Sequence, residues 1–169
     1  MKKLMRKGDT ILRVLEVSDE QALVINCQKR TMPVWMTAAL QGYTEISEEE
    51  LYEAMGEFPK DVEELDPEQR RTAYQRYTMI AGVLPQVADE RERTLAIQKA
   101  AALYGKCEQT IRATLCKYLS FQSIGALIPK KRKNSRDADA GSKEYALGVE
   151  PILLLSQEAF ALNCIHPDA

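Results

Sequence analysis

Residues 89–136 read DERERTLAIQKAAALYGKCEQTIRATLCKYLSFQSIGALIPKKRKNSR. That is a helix, a tight turn, a second helix and a basic tail, the order a DNA-binding helix-turn-helix requires. Ala101 supplies a small residue where two helices must cross closely. Gly105, four residues on, can take the positive φ that ends a helix and reverses the chain. Ile111, with Leu115 and Tyr118 or Leu119, then carries an apolar stripe at helical spacing that faces the first helix. The other face of the second helix holds Gln109, Arg112, Ala113, Cys116 and Lys117. Laid in a major groove, it would present Gln109 and Arg112 to base edges, because Gln pairs bidentately with adenine and Arg with guanine. Lys106, Thr110 and Lys117 are placed to hold phosphates. An ordinary helical hairpin with a solvated outer face has the same local pattern, so the distribution of charge has to separate the two.

The whole chain has a formal net charge of −2, but its charge is divided along the sequence. Residues 45–69 hold eleven carboxylates and one Lys. Residues 70–136 hold fourteen Lys or Arg against four carboxylates, a local net of +10. A polyanion partner requires positive charge concentrated near the motif, since affinity grows with the number of phosphates neutralised. The run Lys130-Lys131-Arg132-Lys133-Asn134-Ser135-Arg136 is too charged to fold alone. Beside a helix-turn-helix it reads as a backbone-tracking or minor-groove arm rather than a solvated linker.

Other classes find little support. Cys27, Cys107, Cys116 and Cys164 form no CxxC pair, and with His166 as the single histidine there is no ligand set for zinc, so no metal or cofactor is expected. No Gly-rich phosphate loop and no nucleophile with a base at useful spacing marks an enzyme. No apolar run reaches the roughly 18 residues of a membrane span, and the basic start leads into Gly8-Asp9 rather than a signal-peptide core. A cytoplasmic protein with reduced thiols is expected.

Working back from the motif, Thr10 to Val17 and Ala22 to Cys27 are β-rich runs separated by Ser18-Asp19-Glu20. Thr31 to Met36 is a third candidate strand, which Pro33 confines to an edge or shortens. Ser47 and Glu50 make a capping box that opens a short acidic helix ended by Gly56. Asp66 and Pro67 start a helix running to about Ala81. The fold class is α+β, with a small antiparallel β unit followed by a three-helix helix-turn-helix bundle and a C-terminal tail. The expected organisation is a β unit over 1–44, an acidic helix and linker over 45–65, the helix-turn-helix domain over 66–129, a basic linker over 130–142 and a segment without an assigned role over 143–169.

Several of these residues carry a family resemblance. Gly8, Ile11, Val14 and Leu15, then Arg76-Tyr77, Ile80 and Leu84-Pro85, then Arg93 to Gly105, Thr110-Ile111 and Tyr118, and finally Gly125-Ala126-Leu127-Ile128-Pro129 before the basic run, resemble the N-terminal part of Mu/TnsB-type transposases. These belong to the retroviral-integrase-like DD(E) recombinases. The resemblance covers roughly Gly8 to Arg136 and implies recognition of mobile-element ends in double-stranded DNA, with self-association and other transposition proteins as further partners. The family's metal-dependent catalysis requires three carboxylates on an RNase-H-like domain, for which residues 137–169 leave no room. The chain is expected to be non-catalytic, either an N-terminal region or a stand-alone relative. A helix-turn-helix transcriptional regulator and an interaction module that docks 45–68 on a basic partner are the alternatives.

Overall fold

Gly8 and Asp9 make the first reversal. Gly8 lies at φ 58°, and this two-residue turn joins β1 (Leu4–Lys7) to β2 (Thr10–Val17), with Lys7 opposite Thr10. β3 (Gln21–Asn26), β4 (Val34–Thr37) and β5 (Thr44–Ile46) complete an antiparallel sheet in the order β4-β3-β2-β1-β5. The computed structural model describes residues 2–130. Residues 1–128 form one compact unit, and a second unit begins at Pro129.

Alternation along β2 and β3 assigns the two faces of the sheet. Leu12, Val14, Ala22 and Val24 form a cluster capped by Ala38, Leu40 and Tyr43 from the segment between β4 and β5. Leu23 and Ile25 face the other way and belong to the core of the helices. Both faces are covered, so the middle of each strand is continuously buried. β4 begins after Pro33, later than the expected Thr31, because proline cannot donate to the ladder. It lies at the edge, as its proline requires.

The helices start and stop where their caps place them. α1 (Glu48–Met55) has the full Ser47/Glu50 capping box and a left-handed Gly56. Its Leu51 is buried with Leu4, Ile11, Cys27, Phe121 and Ala126. α2 (Pro67–Ala81) is capped by Asp66, and α3 (Glu90–Tyr104) by Asp89, each side chain accepting an amide hydrogen bond. α4 (Glu108–Phe121) follows Gly105, which sits at φ 60°, ψ 37°. Ile80, Ile97, Ile111, Leu115 and Leu119 interlock the three long helices, and Tyr77 packs on Tyr118 with ring centroids 5.2 Å apart.

Two arginines tie the helices to the strands. Arg13 on β2 is 1% exposed and donates from Nε to the Ser120 carbonyl of α4 at 2.7 Å, while Nη1 and Nη2 reach the two Glu48 carboxylate oxygens of α1, each at 2.6 Å. Arg93 on α3 donates to the carbonyls of Pro33 and Val87. The segments separated as 1–44, 45–65 and 66–129 from sequence therefore share cores and buried hydrogen bonds within residues 1–128.

Candidate nucleic-acid interface

α4 offers two different surfaces along its length. Its last two turns are enclosed: Thr114, Leu115, Cys116, Leu119, Ser120 and Phe121 are buried. Cys116 is a correction to the sequence reading, which placed it on the outer face. Its Sγ lies 3.5 Å from Met32 Sδ in the β3–β4 loop, because the sheet packs against the distal part of the helix. Lys117 is also drawn in. Only 16% of its side chain is exposed, and Nζ lies 3.7 Å from Glu57 Oε2.

The first two turns of α4 face outward. Lys106, Gln109 and Ala113 are exposed, while Thr110 and Arg112 are half-buried. The Thr110 hydroxyl lies 3.2 Å from Cys107 Sγ. Arg112 Nη2 is 3.4 Å from Glu108 Oε2, and 36% of its side chain is exposed. An i,i+4 pair of this kind contributes about 0.3–0.5 kcal/mol, whereas a bidentate guanine contact discriminates by about 1–3 kcal/mol. Glu108 therefore restrains Arg112 only weakly. Lys130 is exposed. Lys131, Arg132, Lys133 and Arg136 lie outside the described residues.

A further group of charges, missed in the sequence, stands beside α4. The β3–β4 loop brings Lys29 and Arg30 to this side of the molecule, where Arg30 Nη2 meets Glu57 Oε1 at 2.8 Å. Glu57, 12% exposed at its side chain, thus joins Arg30 to Lys117. Burial pushes the Cys116 thiol up to about 11, while the nearby Arg93, Arg112 and Arg30 guanidinium groups pull it down. Burial likewise raises Cys27 to about 11, opposed by Arg13.

These surroundings order the thiols by reactivity, because the thiolate is the nucleophile. In a Cys164→Ser background near pH 8, Cys107 at the start of α4 is expected to react first with a thiol reagent. Cys27 and Cys116 should react only on unfolding. Rapid labelling of all three in the folded protein would contradict the burial of Cys27 and Cys116.

Among the described residues, no group of three or more His, Cys, Asp or Glu side chains is arranged to hold a metal ion, and no helix is long and apolar enough to cross a membrane. A shallow groove of about 300 Å³ between α2 and α3, lined by Met79, Leu95, Lys99, Leu103 and Tyr104 among others, carries no comparable set of cations. The chain matches no protein-family model and no curated protein.

Proposed function

We propose that this chain binds duplex DNA in a sequence-dependent way through the first two turns of α4, as a DNA-recognition region of the transposase type it resembles. The observation that carries the reading is the outward placement of Lys106, Gln109 and Arg112 immediately after a left-handed Gly105, on a helix anchored by buried Ile111 and Leu115. In a helix-turn-helix, the N-terminal residues of the second helix meet the base edges. The enclosed distal half of α4 supports the helix instead of reading DNA, so Lys117 is a weaker contact than Lys106. Chemistry is not assigned to the described residues: the acidic side chains of residues 45–68 cap α1 and α2, pair with Lys3, Arg13, Arg30 and Lys117, or face solvent.

Selection from randomised duplexes, followed by titration of the enriched site, tests this reading. Arg112→Ala is expected to lower affinity for the preferred site by about 1–3 kcal/mol while leaving non-specific binding nearly unchanged. Lys106→Ala should weaken all sequences alike. Enrichment of no motif, or an Arg112→Ala protein with unchanged preference, would remove α4 as the reading element. Directly repeated sites would fit element ends, and a palindrome would fit a dimeric regulator.

A further inference from the structure

We infer that the β3–β4 turn is a second DNA contact, with Lys29 and Arg30 holding the phosphate backbone beside the groove that α4 enters. This rests on the DNA-binding reading of α4 and extends it to the sheet. The turn is built to hold its shape. Asn26 Oδ1 accepts from the amides of Gln28 and Lys29 at 3.0 and 2.9 Å, and the Asn26 carbonyl accepts from the Arg30 amide at 3.1 Å. Arg30 itself sits at φ 52°, a left-handed conformation that is costly for a residue with a Cβ. The surrounding contacts offset that cost: Gln28 Oε1 accepts from the Ile11 amide at 3.2 Å, and Arg30 pairs with Glu57.

The same contacts place the turn against α4. Met32 touches Cys116, and Glu57 links Arg30 to Lys117. Cationic charge from the loop and from the helix therefore meets at one carboxylate. Lys29 and Arg30 are both exposed, and neither α4 nor the turn alone carries this concentration of charge. A ridge that is positive on the helix and on an adjoining loop matches a duplex, where a reading helix in the groove lies between rows of phosphates. Glu57 is the countercharge both cations meet, and 12% of its side chain is exposed.

The experiment is a salt titration of the full chain on the selected duplex and on an unrelated one. Lys29 is the clean position, since it is exposed and its amide rather than its side chain makes the turn contact. With Lys29→Gln, the slope of log K against log salt is expected to fall by about 0.9, the value for one phosphate contact, with equal losses on both duplexes. Lys99→Gln, in the α2–α3 groove, should leave the slope unchanged. A wild-type chain that binds DNA while Lys29→Gln keeps the full slope would overturn this inference and leave the α4 reading intact. A wild-type chain that binds no duplex would overturn both. Competition by polyaspartate as effective as by duplex would identify an acidic protein surface as the partner and would overturn the DNA assignment of the turn.

Discussion

Glu48→Ala is expected to destabilise the protein by about 3 kcal/mol, although Glu48 lies on a short peripheral helix. Its carboxylate is the only acidic partner within salt-bridge distance of Arg13 among the described residues, and Arg13 is 1% exposed. Removing one member of a buried ion pair leaves an uncompensated charge, which costs about 3–5 kcal/mol. The lower end applies here, because 36% of the Glu48 side chain is exposed and water can enter the vacated site. Replacing both partners by apolar residues, as in Arg13→Met with Glu48→Leu, should recover much of the loss. Denaturant unfolding of the two single variants and the double variant measures the coupling. A loss below about 1 kcal/mol for Glu48→Ala would place this pair among ordinary surface ion pairs.

Gly125→Ala is expected to do comparable damage by a different route. A Cβ at Gly125 would lie 1.9 Å from the Lys60 carbonyl oxygen and 3.1 Å from its carbonyl carbon. These are backbone atoms, so no side chain can swing aside. Either the segment before α2 or the short helical turn Ile124–Leu127 must shift, and Leu127 in that turn is buried in the main core. Overpacking of this kind costs about 1–3 kcal/mol and occasionally more. A loss of about 3 kcal/mol would lower Tm by about 10 °C for a unit of this size. Adding Lys60→Ala to Gly125→Ala should give no relief, because the clash is with main chain. Near-wild-type melting of Gly125→Ala, or rescue by Lys60→Ala, would show that the close approach is not what places glycine here.

Gly125 also illustrates how much of this protein is legible in one dimension. The Gly-x-Leu-x-Pro element stands out in the sequence. Its local reason appears only in three dimensions, where Gly125 lies against residue 60, far away in sequence. Caps and turns behave in the opposite way. Ser47, Gly56, Asp66, Asp89 and Gly105 act on amides and carbonyls within a few residues, so each helix boundary they mark is readable from the chain. β2 and β3 are readable as well, since their β-branched runs are long. β1 and β5 are not, because strands of four and three residues acquire their conformation from pairing, Leu4 with Arg13 on one side and Ile46 on the other.

The candidate interface divides in the same way. Gln109, Arg112 and Lys106 follow from helical periodicity after Gly105, and the structure places them on an accessible face. Cys116 and Lys117 lie on that same face by periodicity, yet one is buried against Met32 and the other drawn to Glu57. Periodicity gives the direction of a side chain around its helix and carries no information about what packs there.

By itself, then, the sequence determined the helices, most of their caps, the strands β2 and β3 and the outward side of the first turns of α4, all set by interactions within a few residues along the chain. Only the tertiary structure decided that the sheet covers the distal half of α4, that Arg13 is buried against Glu48, and that Glu57 joins Arg30 of the β3–β4 turn to Lys117 of α4. The physical reason is that each of these depends on desolvation and charge pairing between segments that are tens of residues apart, which no local periodicity encodes.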